Sequence, residues 1–228
     1  GDARILEFIE DVKRRIKRLV GPIPHDLVSC GFGPGATLTN GSRYSTIPDK
    51  IESVPCGTRR AMYLYDQLFA DCAWDRYRAP DQRQREISRG NRFFTVSKTA
   101  LTLRGAALSP NVNGFLQKGI GTYLRQRLER ADIYIGGREP VSGIFSVNDF
   151  TSADVHRRLA CEASKSEAYA TIDLSDASNT IARKLIQLVW PTQWFDLLSD
   201  TREAFIKRPD GRWQYLEMFS AMGNGFTF

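Results

Sequence analysis

Ala170-Thr171-Ile172-Asp173-Leu174-Ser175-Asp176-Ala177-Ser178-Asn179 is the stretch on which the reading of this chain turns. Ahead of Asp173, Tyr169 to Ile172 is a short apolar run rich in β-formers, the pattern of a buried strand. Behind it, Ile181, Leu185, Leu188 and Val189 recur at helical spacing until Pro191 breaks the pattern. Asp173 therefore falls where a strand ends and the chain turns toward a helix, a position that holds one carboxylate rigidly at the rim of a sheet. Asp176 and Ser178 read as turn and N-cap residues of a helix beginning near Asn179. Asp173 comes too early for that capping role, so at this point a catalytic or metal role and a plain turn role both stand.

The remaining composition narrows the setting. A chain of 228 residues with 42% hydrophobic and 25% charged residues has the make-up of a globular protein. That length buries about 70–75% of the unfolded surface, in one large domain or two lobes. No apolar run approaches the ~18 residues that a membrane-spanning helix needs, and the first residues show no apolar core of a secretory leader. Cys30, Cys56, Cys72 and Cys161 lack paired spacing, which points to neither zinc nor a disulfide framework and to a reducing, cytosolic setting. The net charge is +6, and between Arg59 and Arg138 there are 15 Lys/Arg against seven Asp/Glu. A basic middle of this kind suits a polyanion. A solvated arginine-rich helix face is the plainer reading of any single cluster, but Arg76-Tyr77-Arg78 and Arg92-Phe93-Phe94 interleave aromatic rings with guanidiniums, which improves the case for single-stranded nucleic acid.

Along the chain, Ile5, Ile9, Val12, Ile16 and Leu19 form a helical stripe ended by Gly21-Pro22. Gly31 to Thr37 is a glycine-rich loop without the Gly-Lys-Ser/Thr ending of a phosphate loop, and reads first as structural. Residues 40–58 read as an irregular connection. A helix is expected from Arg60 to Trp74, a polar stretch from Asp81 to Asn91, a strand from Arg92 to Val96, and a helix from Val112 to Leu128 whose Phe115, Ile120, Tyr123 and Leu124 face inward. Gly136-Gly137 marks a turn, and Val141 to Phe150 has no decided pattern. Trp194 to Leu198 continues as helix. Phe205 to Phe219 reads as two strands joined by Arg208-Pro209-Asp210-Gly211, and Gly223-Asn224-Gly225 as a flexible turn.

Three features now stand in order: Lys98 and Arg104 six residues apart, Asp173 at its strand end, and the closing run Ser220-Ala221-Met222-Gly223-Asn224-Gly225-Phe226-Thr227-Phe228. Jointly they resemble the RNA-directed RNA polymerases of single-stranded RNA bacteriophages, the levivirus-type replicase subunits. Pro191 to Phe195, the Arg208–Gly211 turn and Phe115 to Gly121 support the resemblance, which runs from about Phe94 onward and more loosely before it.

The resemblance implies an α+β, right-hand polymerase. Residues 1–165 would be fingers with a basic RNA and nucleotide channel. Residues 166–190 would hold the palm's motif A strand and helix, 191–217 a fingers insertion with a hairpin, and 218–228 the start of motif B. Asp173 would be the catalytic metal-binding carboxylate, with Leu174 joining through its backbone carbonyl. Lys98 and Arg104 would grip the incoming nucleoside triphosphate, Ser178 and Asn179 would lie near its ribose, and Gly223, Asn224, Gly225 and Thr227 would monitor template and ribose. Two Mg2+ ions, or Mn2+ in their place, would serve the complete enzyme. Its partners would be RNA, nucleoside triphosphates, host elongation factors Tu and Ts and a ribosomal protein, in the cytoplasm of the infected bacterium and away from membrane.

The chain departs from the family pattern at three places. Asn179 stands where an acid is usual, Ser109 replaces the acid before the proline that follows motif F, and the Gly-Asp-Asp hairpin of motif C does not occur. The chain is therefore expected to be an internal fragment without motif C or thumb, inactive by itself. A haloacid-dehalogenase-like phosphohydrolase would need a second Asp where Ser175 stands. A non-enzymatic RNA-binding or virion protein would suit the basic middle but leave the motif A and motif B matches unused.

Overall fold

The computed structural model describes residues 2–25, 29–69, 72–77, 84–97, 99–131, 133, 152–168, 170, 172, 177–221 and 224–226, with backbone alone for 152–156. The fold mixes helix and sheet. Helix α1 (Ala3–Val20) opens at Asp2, whose carboxylate accepts the Arg4 N–H, and stops at Gly21. Its apolar stripe is used unevenly: Val20 is buried and Ile16 packs on the core, while Ile5, Leu6 and Phe8 are exposed. The end of α1 is locked by long polar side chains. Trp194 Nε1 donates to Gly21 O (2.7 Å), Tyr123 Oη to Pro22 O (2.9 Å) and Arg127 Nε to Leu19 O (3.0 Å).

Residues 40–58 are more regular than their composition predicts. They hold a 3-10 turn (Ser42–Tyr44), helix α2 (Ile47–Glu52) and strand β1 (Cys56–Gly57). Thr46 and Asp49 cap α2 reciprocally, so Ser/Thr/Pro content that reads as loop is in part a helix start. The helix expected from Arg60 to Trp74 is two helices, α3 (Arg59–Phe69) and α4 (Ala73–Tyr77). Beyond them, β2 (Glu86–Ile87) pairs parallel to β1.

The main core lies where α3, α4, α8 (Thr192–Thr201) and the long helix α5 (Asn111–Glu129) meet. Ala61, Met62, Tyr65, Val112, Leu116, Ile120, Trp194 and Leu198 are buried there, so α5 presents Val112, Leu116 and Ile120 at the centre, with Phe115, Tyr123 and Leu124 at the margin. The glycine-rich loop is structural, as its sequence suggests. Phe32 packs edge-on to Trp74 (4.8 Å between centroids) and against Phe115 (5.3 Å), and the buried Lys50 donates to Gly33 O.

The second layer is a four-stranded sheet in the order β4-β3-β5-β6. Strands β3 (Asn91–Ser97) and β4 (Leu103–Leu108) form a hairpin. Strand β5 (Phe205–Lys207) joins β3 in parallel, and β6 (Trp213–Tyr215) returns antiparallel through the turn at Gly211, whose φ of 82° suits glycine. One side of the sheet covers a small core of Ala107, Ile206, Leu216 and Ala221 with Phe93 and Met218.

Two expectations change around the opening stretch. Helix α6 (Ser152–Ser166) precedes it. Ala170 and Ile172 belong to no strand and Ile172 is 85% exposed, so the predicted buried strand is not formed by the described residues. A strand run needs a ladder partner, and among the described residues this one has none. Ser178 lies in a 3-10 turn (Ala177–Thr180), and helix α7 (Arg183–Val189) starts later, with Ala182 at its N-cap. Gly136, Gly137 and residues 141–150 lie outside the described residues.

Candidate functional site

The β3–β4 hairpin sets the first part of the site. Register pairs Val96 with Arg104, Phe94 with Ala106 and Arg92 with Leu108, and side chains alternate across the sheet. Arg92, Phe94, Val96 and Arg104 therefore share the side opposite the small core, together with Lys207 and Trp213 through the Arg92–Lys207–Trp213 register. Arg92, Arg104 and Lys207 are exposed, and among the described residues Arg104 makes no ion pair or hydrogen bond. An unpaired guanidinium on an open sheet keeps its fork of donors free for phosphate oxygens. Lys98 lies outside the described residues.

The second part is the turn at Asn224 and Gly225, which is held far more tightly than a flexible loop. Asn224 is buried, donates from Nδ2 to Glu203 Oε2 (3.1 Å) and accepts the Ala221 N–H (3.3 Å). Gln117, buried on α5, accepts the Gly225 N–H (3.0 Å) and donates to Glu203 Oε2 (3.2 Å) and Thr201 O (2.9 Å). The approach is close because both contact points are glycine. A Cβ on Gly121 would meet Gly225 O, and one on Gly225 would meet Lys118 N at 2.8 Å. Burial pushes the Glu203 carboxyl above its ordinary value. A buried carboxyl at the centre of amide donors is a rigid anchor for a loop. Sequence reading missed Glu203, and its neighbourhood carries no pattern that would reveal it. Gln117 lay within the quoted Phe115–Gly121 run, and its spacing of four from Asn113 was the available signal.

A backbone ladder joins the third part to these two. Ala182 bridges Met218, Arg183 N–H donates to Glu217 O (2.8 Å) and Phe219 N–H to Ile181 O (2.7 Å). The segment following Ser178 and Asn179 is thus bonded to the segment leading into Asn224. Strands β4, β3, β5 and β6, the 216–219 segment and the Asn224 turn form one continuous framework carrying Arg104, the Ser178–Asn179 turn and Asn224–Gly225. Asp173, Leu174, Gly223 and Thr227 lie outside the described residues. Among the described residues no group of three or more His, Cys, Asp or Glu could hold a metal ion, and no helix is long and apolar enough to cross a membrane.

A family described as RNA replicase, beta-chain, matches residues 4–228. The chain belongs to that family. Among its relatives, the RNA-directed RNA polymerase subunit beta of Enterobacteria phage SP is 34% identical over 223 residues, covering 96% of this chain and 35% of that protein. The subunit of the same description from Escherichia virus Qbeta is 35% identical over 223 residues, covering 96% of the chain and 34% of its own length. The RNA-directed RNA polymerase beta chain of Escherichia phage MS2 is 32% identical over 206 residues, covering 87% and 34%. The chain thus spans about a third of the length of these curated replicase relatives.

Proposed function

We propose that this chain is the part of a phage RNA-directed RNA polymerase that receives the nucleoside triphosphate and template, with turnover belonging to the longer protein. The observation that carries this reading is the single hydrogen-bonded framework linking the Arg104 hairpin to the Asn224–Gly225 turn, in a replicase-family chain. Phosphoryl transfer asks a protein for positioning and charge neutralisation more than for covalent help. Arg104 and Lys98 would neutralise triphosphate oxygens. Asn224 and Gly225, anchored through Glu203 and Gln117, would present a fixed surface to ribose and template, with Gly223 and Thr227 sharing that role and Ser178 and Asn179 serving the ribose.

Right-hand architecture, with fingers and part of the palm, is assigned on the same grounds. Asp173 would offer a carboxylate and Leu174 a backbone carbonyl to Mg2+, whose chemistry when bound is to activate an attacking hydroxyl and steady the leaving pyrophosphate. The described residues add no further acid cluster to that ligand set. Host elongation factors Tu and Ts and a ribosomal protein would join the longer protein in the cytoplasm of the infected bacterium.

The test is Lys98→Ala and Arg104→Ala in the full-length replicase. Each removes a charge-assisted hydrogen bond, so KM for nucleotide should rise about 10- to 150-fold, the equivalent of roughly 1.5–3 kcal/mol. Wild-type nucleotide kinetics with RNA affinity alone reduced would reject the assignment.

A further inference from the structure

The far end of the open sheet side carries aromatic rings that none of the roles above uses. Phe205 pairs across the strands with Tyr215, their rings 5.5 Å apart edge to face, and Lys207 pairs with Trp213. The Arg89 guanidinium lies 4.6 Å from the Phe205 ring centroid and 5.8 Å from that of Trp213. Arg89 is exposed, so its guanidinium lies against the rings within reach of solvent. Tyr215 is 41% exposed and Phe94, farther along the same side, 37%. None of the ten strand positions on this side, from Arg92 and Arg104 to Tyr215, is acidic.

Stackable rings, a guanidinium held against them and unopposed positive charge are the chemistry of a surface that takes unpaired bases and their phosphates together. A duplex hides its base faces and would use only the cations. An acidic protein would likewise use the charges and leave the rings idle.

We propose that Tyr215, Phe94 and the Arg89–Phe205–Trp213 stack form a sequence-tolerant platform for single-stranded RNA. This deepens the RNA-channel reading without depending on nucleotide transfer: bases stack on Tyr215, Phe94 and Arg89, while Arg92 and Lys207 meet the phosphates. Two strands of the platform come from residues 91–108 and two from 205–215, so it exists only once the sheet has assembled across about a hundred residues of chain.

The experiment titrates the 228-residue chain with fluorescein-labelled oligo(U) and oligo(A), with a duplex RNA of equal length, and with poly-glutamate as an acidic-protein competitor. Melting curves of every variant accompany it. Single strands of both sequences should bind more tightly than duplex. Tyr215→Leu and Phe94→Leu should each weaken single-strand binding about 5- to 100-fold, the range for one stacked base, with the salt slope unchanged. Arg92→Gln and Lys207→Gln should instead flatten the log–log salt slope by about one ion each. Equal affinity for duplex and single strand, effective competition by poly-glutamate at equal charge, or wild-type binding by folded Tyr215→Leu and Phe94→Leu would overturn the platform. The Lys98 and Arg104 nucleotide test could still succeed after that failure, which separates the two readings.

Discussion

A single buried carboxyl holds the turn at Asn224, and its ionisation has a sign. Glu203 receives the amides of Gln117 and Asn224, and burial raises its pKa above the ordinary 4.5. A folded state that keeps its proton longer than the unfolded state gains stability from that proton below about pH 4.5, and loses it as pH climbs toward the raised value. Glu203→Gln cannot ionise, so relative to it the wild type should become progressively less stable as pH rises. Melting temperatures of both proteins from about pH 4 to pH 8 check this, and parallel curves would refute it. Asn224→Ala leaves Glu203 Oε2 with Gln117 alone and should cost about 1–3 kcal/mol, read by urea denaturation. None of this was legible beforehand: a Glu after Arg202 looks like surface charge in a sequence, because burial is decided by which elements close over it.

At the scale of elements, the legible parts were those with local signals. The stripe ended by Gly21 gave α1, the period from Val112 to Leu128 gave α5, and Pro209-Asp210-Gly211 gave the hairpin turn. Elements whose own residues carry no strand signal were not legible. Strand β4 reads Leu-Arg-Gly-Ala-Ala-Leu, without β-branched residues, and becomes a strand because β3 supplies its ladder. In the run read as a strand from Tyr169 to Ile172, the described residues Ala170 and Ile172 pair with no strand, while Tyr169 and Thr171 lie outside the described residues.

Helix α5 offers a paired test of packing. Gly114 has open space where a Cβ would stand, whereas at Gly121 that Cβ would meet Gly225 O. Gly114→Ala should stabilise by up to about 1 kcal/mol through helix propensity. Gly121→Ala should destabilise by about 1–3 kcal/mol and loosen the Asn224 turn. Thermal melts, with hydrogen exchange at the Gly225 amide, decide it, and equal effects would show that the turn does not depend on close approach to α5.

For the whole molecule, the basic middle read from composition is spread over several elements: Arg92 and Arg104 lie on the open side of the sheet, Arg59 and Arg60 on α3, and Arg125 and Arg127 on α5. The order Lys98–Arg104, Asp173, Gly223–Thr227 named the family that the match over residues 4–228 shows. The framework connecting Arg104, the Ser178–Asn179 turn and Asn224–Gly225 through Gln117, Glu203 and the 181–183 ladder needed the fold. Asp173 is proposed to serve chemistry rather than folding, and the most direct measurement is elongation and melting temperature of the full-length replicase carrying Asp173→Asn. Asn caps a turn about as well as Asp but lacks the charge that holds a divalent ion. Elongation should fall by orders of magnitude at an unchanged or slightly higher melting temperature. Near-normal elongation, or a loss matched by a large fall in melting temperature, would contradict it.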